Sequence, residues 1–358
     1  MSLYHVLIAS QIRKTKKYKM GFFSFNQELA MDLGTANTII IQDDKIVVDQ
    51  PSVVALDSRT DKLIAVGQKA LLMRGKENDR IRTVRPLRDG VIANFSACEL
   101  MVRSMIKMVP AKRHLFPSTL KIVVCIPSGS TEVEIRAVRD SIEQAGGRDI
   151  YLIYEPIAAA LGIGIDVTAP NGCMIVDIGG GSTEIALISL GGIVSNKSIR
   201  IAGDDLTDDI MEYMGRMHNI KVGEHTAELI KINVGSTLEH LENPPEDYIV
   251  HGPNRMTALP MLVPVNYQEI ALCLEKSISK IESAVLSAME QTPPELFSDI
   301  VKSGIYLAGG GALLRGLDKR LTDKLGIQFH IAEDPLRAVA RGTGIALKNI
   351  DKSPFLMR

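Results

Sequence analysis

The 358-residue chain contains no tryptophan, and tyrosine and phenylalanine together account for only 4% of its residues. Because aromatic rings form the surfaces on which bases stack, this scarcity argues against such a surface. The formal net charge is −1, so the overall charge does not favour nucleic-acid binding either. No apolar run reaches the roughly 18 residues that a transmembrane helix requires. We therefore expect a folded globular protein that binds no nucleic acid.

Cysteine is scarce and scattered. The four cysteines are Cys98, Cys125, Cys173 and Cys273, and no two of them form a C-x-x-C pair. This distribution favours reduced thiols in a cytoplasmic protein over disulfides or a cysteine metal site. A P-loop of the form G-x-x-x-x-G-K-[S/T] is also missing, so any phosphate site must be built differently.

The most informative stretch covers residues 173–184. An apolar run ends at Asp177, glycines occupy positions 179–181, Ser182 and Thr183 follow, and a second apolar run begins at Ile185. This pattern predicts two strands joined by a tight turn. Consecutive backbone N–H groups in such a turn can bind phosphate oxygens, and an aspartate at the strand end can hold a hydrated Mg²⁺. Taken alone, a plain glycine-rich hairpin explains the stretch equally well.

A similar stretch occurs 145 residues earlier. Asp32 is followed by the turn Leu-Gly-Thr-Ala-Asn, and a β-branched run begins at Thr38. A repeat at this spacing predicts a duplicated fold in which two phosphate-binding loops face one cleft.

Three further segments fit a nucleotide site. Residues 309–311 form a third glycine-rich loop between a predicted strand and helix, where a flat ligand could approach the backbone. Glu155 precedes Pro156 at a predicted helix start, where it could orient a water for attack on a γ-phosphate. Glu228 and Lys231 lie three residues apart on one helical face. As isolated features, Glu155 could simply stabilise a helix end, and the pair could be a surface ion pair.

Together the segments predict a site for a nucleoside triphosphate with Mg²⁺. The carboxylates of Asp32 and Asp177 would bind the cation through water. The residues expected to contact the nucleotide are Gly34, Thr35, Ala36, Asn37, Gly179, Gly180, Gly181, Ser182, Glu228, Leu229, Ile230, Lys231, Gly309, Gly310, Gly311, Ala312 and Leu313.

From about residue 21 to the C-terminus, the chain resembles the actin, heat-shock chaperone and sugar-kinase ATPase superfamily, and within it the bacterial rod-shape actins. The resemblance is carried, in order, by the motifs D-L-G-T-A-N, E-P-x-A-A, D-I-G-G-G-S-T-E and G-G-G-A-L-L. It implies an α/β, actin-like (duplicated, ribonuclease H-like) two-domain ATPase with two small inserted subdomains and a nucleotide cleft between the domains.

The expected domain boundaries follow from this resemblance and from composition. Residues 1–27 are an N-terminal extension and possible membrane anchor. Residues 28–166 form domain I, with an insert at about 50–90, and residues 336–358 complete it as a C-terminal helix. Residues 167–335 form domain II, with an insert at about 203–265.

The resemblance also implies roles for single residues. Glu155 would act in hydrolysis together with Ser182, which stands where the family usually has threonine but keeps the hydroxyl. Tyr154 stands where an acidic residue is usual. Because a neutral neighbour removes a like charge, we expect Glu155 to ionise more readily here than beside an aspartate.

The implied function is an ATPase whose slow hydrolysis accompanies self-assembly into filaments. These filaments would lie on the inner face of the cytoplasmic membrane, organise cell-wall elongation with membrane-protein partners, and maintain rod shape. A metabolite kinase of the same superfamily is the alternative, although the sequence offers no base for an acceptor hydroxyl other than Glu155. A chaperone would need an appended substrate-binding domain, for which we expect no room after the last predicted helix.

Membrane contact is expected from two apolar sites. Leu115 and Phe116 match a surface loop that family members insert into membrane, and Phe22 and Phe23 follow a basic cluster near the N-terminus. Three interpretations of the N-terminus stay open: a membrane anchor, an extension upstream of a start at Met20, or a solvated terminus.

Overall fold

The computed structural model describes residues 26–110 and 119–358. The strands are β1 (Asn26–Leu33), β2 (Asn37–Gln42), β3 (Lys45–Pro51), β4 (Val54–Asp57), β5 (Leu63–Val66), β6 (Ile81–Val84), β7 (Leu87–Arg88), β8 (Val91–Ile92), β9 (Thr119–Ile126), β10 (Asp149–Tyr154), β11 (Cys173–Ile178), β12 (Thr183–Ser189), β13 (Gly192–Ile199), β14 (Tyr248–Pro253), β15 (Pro260–Val265), β16 (Ile305–Ala308) and β17 (Phe329–Ile331). The helices are α1 (Gln68–Leu71), α2 (Phe95–Met108), α3 (Glu132–Gln144), α4 (Glu155–Gly162), α5 (Gly203–Met217), α6 (Glu224–Val234), α7 (Tyr267–Glu290), α8 (Pro294–Ser303), α9 (Leu317–Leu325) and α10 (Ala338–Lys348). Short 3₁₀ turns cover Gly310–Leu313, Pro335–Arg337 and Ile350–Lys352.

Two five-stranded sheets share one topology. The first has the order β10-β9-β1-β2-β3, and the second has the order β17-β16-β11-β12-β13. In each sheet the leading strand, β1 or β11, is antiparallel to the next strand in sequence and parallel to a later one. This repetition confirms the predicted duplicated α/β fold. The parts built on the first and second sheets are called the first half and the second half below.

A helix pair, α4 and α10, packs between the two sheets. The apolar core around it draws on both of them, with Ile39 and Val123 from the first and Ile175 and Ala186 from the second. The helices cross at backbone contact: a Cβ added at Gly342 would lie 1.7 Å from the carbonyl oxygen of Ala158. Glycine is therefore required at this crossing.

Each half carries an insert after its third strand. The first insert holds the three-stranded sheet β5-β4-β6 and the hairpin β7-β8. The second holds α5, α6 and the hairpin β14-β15, whose inward side chains Val250 and Val263 join the core of the second half. Helix α10 packs on α4 and on strands of the first sheet. The exact boundaries at 166/167 and 335/336 stay predictions.

Local sequence explains where the main helices begin. Asn266 and Glu269 form a reciprocal capping box at the start of α7, and Thr131 and Glu134 form one at the start of α3. Helix α4 begins at Glu155 with Pro156 in its first turn, where the missing proline N–H has no partner to lose. Within the described residues, no helix has the length and apolar character needed to span a membrane.

Candidate nucleotide site

Two hairpin loops from the two halves meet face to face. The first joins β1 to β2 through residues 34–37, and the second joins β11 to β12 through residues 179–182. A Cβ added at Gly180 would lie 2.8 Å from the Cβ of Ala36, and one at Gly181 would lie 2.9 Å from Cγ2 of Thr35. These two glycines lack the side chains that would separate the loops, so the structure brings together the loops that the sequence predicts.

Asp177 lies near the end of β11, just before the second loop, and its carboxylate is buried. Its side chain is 5% exposed, and its Oδ1 has no hydrogen-bond partner. Burial, followed by the nearby charges of Asp32 and Glu184, raises its pKa to about 7. A buried oxygen without a partner is costly unless a ligand satisfies it.

Asp32 occupies the equivalent position in the first half. The thiol of Cys125 on the neighbouring strand donates a hydrogen bond to its Oδ1, with 3.1 Å between sulfur and oxygen. Burial raises the Asp32 pKa to about 6, although the bond from Cys125 opposes this rise. Cys125 is thus part of the site, and this role could not be predicted because no motif surrounds the cysteine in the sequence.

The oxygen ligands present here suit a hard cation such as Mg²⁺. The described residues contain no cluster of three or more side chains able to hold a metal ion. A cation would therefore depend on Asp32 and Asp177 together with water and phosphate oxygens. The unpartnered Oδ1 of Asp177 fits this arrangement.

Glu155 opens α4 beside these carboxylates. Burial is the main cause that raises its pKa well above the usual range, and the charges of Glu184, Asp177 and Asp32 add to it. Tyr154 contributes no charge, but the cluster holds the Glu155 pKa high without it. The expected difference from an acidic residue at position 154 stays a prediction.

The second loop rests on the N-terminus of α5. The backbone N–H of Gly203 donates to the carbonyl of Gly179 at 3.1 Å, and that of Asp204 donates to Gly180 at 2.8 Å. Lys231 on α6 donates to the Gly203 carbonyl at 2.7 Å. This chain of contacts places α6 beside the loop.

The predicted residues of α6 do not all face the same way. Lys231 and Glu228 form an ion pair at 2.7 Å, and Glu228 also accepts from Thr207. Leu229 is half-buried, whereas Ile230 is fully buried in the apolar core of the second half. A contact between Ile230 and nucleotide would therefore have to come from the backbone.

The third glycine loop packs against the end of β11. Gly309 has φ 77°, and a Cβ there would lie 2.5 Å from Oδ1 of Asp177. Gly311 similarly touches Ile178. Ala312 is buried, and Leu313 is 52% exposed. The loop thus adjoins Asp177.

Besides Cys125, two further residues at the site went unrecognised in the sequence. Arg85 of the first insert reaches across to Asp204 at 2.7 Å and to Glu224 at 3.1 Å. Glu184, the last residue of the second-loop motif, is 1% exposed and pairs with Asp177 across the β11-β12 ladder. The glutamate could have been identified from its place in the motif, but the arginine has no local signal.

The repeated sheets, with phosphate-loop geometry at their junction, define an actin-like ATPase fold. The family model described as MreB/Mbl protein matches residues 26–354, and the chain belongs to the MreB/Mbl family. This confirms the resemblance to the rod-shape actins and gives no support to the metabolite-kinase alternative.

Curated relatives agree with this assignment. The cell shape-determining protein Mbl of Bacillus subtilis (strain 168) is 41% identical over 331 residues, covering 92% of this chain and 98% of the relative. The cell shape-determining protein MreB of Escherichia coli (strain K12) is 45% identical over 343 residues, covering 94% and 96%.

Solved structures agree as well. MreB5 of Spiroplasma citri bound to AMPPNP superposes with a TM-score of 0.84 at 36% identity, covering 91% of this chain and 97% of that one. A MamK double helical filament superposes with a TM-score of 0.75 at 19% identity, covering 92% and 100%, and shows similarity of fold alone.

The predicted membrane residues Phe22, Phe23, Leu115 and Phe116 lie outside the described residues. Their role stays a prediction.

Proposed function

We propose that this protein is an ATP-dependent, actin-like cytoskeletal protein that forms filaments and maintains cell shape. The observation that carries the proposal is the pair of loops facing each other from the duplicated halves, with the unpartnered Oδ1 of Asp177 at the strand end that leads into the second loop. Family membership and the nucleotide named in the Spiroplasma citri MreB5 structure support it.

The loops would bind the phosphates and the cation. Backbone N–H groups of residues 34–37 and 179–182 would donate to phosphate oxygens. Asp32 and Asp177 would hold Mg²⁺ through water, and the bound cation would neutralise phosphate charge. Residues 228–231 and 309–313 would enclose the nucleoside.

Glu155 would orient the attacking water and accept its proton. A carboxylate with a raised pKa is a better base near neutral pH than an ordinary one. The buried hydroxyl of Ser182 would share the positioning of that water. Hydrolysis would be slow and coupled to filament assembly.

Filaments would lie on the inner face of the cytoplasmic membrane and act with membrane proteins of cell-wall elongation. Phe22, Phe23, Leu115 and Phe116 would supply apolar contacts to the lipid, each adding affinity in proportion to its buried area.

Phosphate release and sedimentation, measured with Mg²⁺-ATP and liposomes, test this function. We expect pelletable polymer from the parent protein. We expect Glu155→Ala to bind ATP with affinity close to that of the parent while releasing phosphate at least tenfold more slowly. Normal phosphate release by Glu155→Ala would contradict its role. The filament proposal fails if no nucleotide or lipid condition yields polymer and a small molecule is phosphorylated instead.

Membrane contact needs its own test. Deleting residues 1–25 should weaken liposome co-sedimentation if the N-terminus is an anchor. Replacing Leu115 and Phe116 by serine separates the second site from the first. Liposome binding that survives both changes would exclude these residues as the anchor.

A further inference from the structure

Glu184 is a buried carboxylate to which the proposed function gives no role. It lies on β12 opposite Asp177, in a register where paired side chains share one face of the sheet. At 1% exposure it is cut off from solvent, and a buried carboxylate requires hydrogen-bond donors. The position of these donors in the fold indicates the role of Glu184.

The donors are serines from both halves. Oε2 accepts the backbone N–H of Ser128 at 3.1 Å and also accepts the Ser128 hydroxyl. Oε1 accepts the hydroxyl of Ser198 at 2.5 Å. Ser198 lies on β13, in the same sheet as Glu184, whereas Ser128 follows β9 of the first half. The carboxylate therefore spans the cleft.

The segment that carries Ser128 is seated closely on the second half. The side-chain amide of Asn196 donates to the Ser128 carbonyl at 3.1 Å. A Cβ added at Gly129 would lie 2.9 Å from the Cβ of Ser198, so the backbone approaches the strand more closely than a side chain would permit. Glu184 thus forms one end of a defined contact between the halves.

This contact adjoins a proposed cation-binding residue on one side and a proposed hydrolytic residue on the other. Cys125, three residues before Ser128, holds Asp32 of the first half. Ser182, two residues before Glu184, lies close to the backbone of Gly90, at which an added Cβ would be 2.9 Å from the Ser182 hydroxyl. A shift of Ser128 relative to Glu184 would therefore move Asp32 and Ser182 relative to each other.

We propose that Glu184 is a positioning residue that holds Ser128 across the cleft and so fixes the arrangement of Asp32 and Ser182 around the phosphates. This proposal rests on the proposed ATPase function. Because hydrolysis depends on alignment more steeply than binding does, loss of the contact should lower kcat and leave KM for ATP nearly unchanged.

Alanine variants of the two serines separate this role from simple stability. Ser128→Ala removes the hydroxyl bond across the cleft, whereas Ser198→Ala removes a bond within one sheet. With Mg²⁺-ATP we expect Ser128→Ala to lower kcat about tenfold with KM within twofold, and Ser198→Ala to lower kcat by a clearly smaller factor. Equal effects of the two variants, or a rise in KM for Ser128→Ala without a fall in kcat, would overturn the proposal.

Variants of Glu184 give an independent measurement. Glu184→Gln keeps an oxygen for Ser128 and can donate to the Ser198 hydroxyl, so its kcat should stay within about threefold of the parent value. Glu184→Ala should lose at least as much kcat as Ser128→Ala. A Glu184→Gln variant as impaired as Glu184→Ala would contradict a positioning role through hydrogen bonds.

Ser189→Ala is the control for removing a buried serine. Ser189 lies on the same strand and donates to the Pro170 carbonyl at 3.0 Å, away from the cleft, so kcat should not change. A parent protein that releases no phosphate would end the proposed function and this inference with it. An active parent with an unaffected Ser128→Ala variant would overturn the inference alone.

Discussion

Arg85 donates a 2.7 Å hydrogen bond from Nη2 to Oδ2 of Asp204, and the two side chains belong to the inserts of opposite halves. The same guanidinium contacts Glu224 at 3.1 Å, and Glu224 also pairs with Arg74. Only 15% of the Arg85 side chain is exposed, so water and salt screen these pairs less than they screen surface pairs. The ion pairs thus join the two inserts where the cleft closes.

We expect Arg85→Ala to weaken ATP binding about 5- to 30-fold, mainly through faster dissociation. The substitution removes the positive charge that balances the carboxylates of Asp204 and Glu224. The loss of these ion pairs between the inserts favours an open cleft. Stopped-flow displacement of a fluorescent ATP analogue measures the dissociation rate directly.

Arg82→Ala is the matched control. Arg82 pairs with Asp61 at 2.7 Å inside the first insert, and both side chains are well exposed. Such a surface pair contributes little, so the ATP dissociation rate should not change. Equal dissociation rates for the Arg85 and Arg82 variants would show that the pairs across the cleft do not retain nucleotide.

Much of the site could be predicted because its signals are local. An aspartate at a strand end followed by glycines indicates a phosphate loop within about ten residues, and finding it twice indicates the duplication. The contact between Gly180 and Ala36 then follows from the fold.

The unrecognised residues depend on contacts that are distant in sequence. Arg85 and Asp204 are 119 positions apart, and Cys125 and Asp32 are 93 apart. Arg85 lies in a stretch with several lysines and arginines, and no local pattern in the sequence distinguishes it from the other arginines. Cys125 resembles any buried strand cysteine until the register of β1 and β9 places it beside a carboxylate. Such roles become visible only when the two sheets are assembled.

The crossing of α4 and α10 predicts a sharp difference between two glycines of one helix. At Gly342 an added Cβ would lie 1.7 Å from the carbonyl oxygen of Ala158, whereas at Gly344 the nearest atom would be 3.5 Å away. Gly342→Ala must force the helices apart, and we expect a loss of about 3 kcal/mol or more of unfolding free energy. Gly344→Ala should be neutral or stabilise by up to about 1 kcal/mol. Thermal and urea unfolding measure both variants, and comparable stabilities would contradict the close crossing.

The raised pKa of Asp177 predicts a stability that depends on pH. Its ordinary value of 3.8 rises to about 7 in the folded protein, mainly through burial. The protonated side chain therefore stabilises the folded protein fully below about pH 4, and this stabilisation is lost as the pH rises through about 7. Asp177→Asn removes this titration, so without nucleotide its stability advantage over the parent should grow between pH 5 and pH 8 by about 1–3 kcal/mol. Urea unfolding at both pH values measures the change.

Saturating Mg²⁺-ATP is the control for that experiment. A bound cation would compensate the ionised carboxylate, so the advantage of Asp177→Asn at pH 8 should vanish or reverse. An advantage that does not change with pH, or that persists with Mg²⁺-ATP, would indicate that Asp177 acts through packing and not through its charge.

The same carboxylates predict how cation binding depends on pH. Mg²⁺ requires ionised oxygens, and protons compete for Asp177 with a pKa of about 7 and for Asp32 with a pKa of about 6. Between pH 8 and pH 6 the ionised fraction falls about tenfold for Asp177 and about twofold for Asp32. About twentyfold more Mg²⁺ should therefore be needed for half-maximal nucleotide binding at pH 6 than at pH 8. Titrating Mg²⁺ at fixed ATP with a fluorescent analogue measures this ratio. The Asp177→Asn variant should bind Mg²⁺ more weakly. The ratio of the Mg²⁺ concentrations needed at pH 6 and pH 8 should then fall to the smaller value that Asp32 alone causes. A ratio in the parent that stays near one would show that neither aspartate takes part in holding the cation.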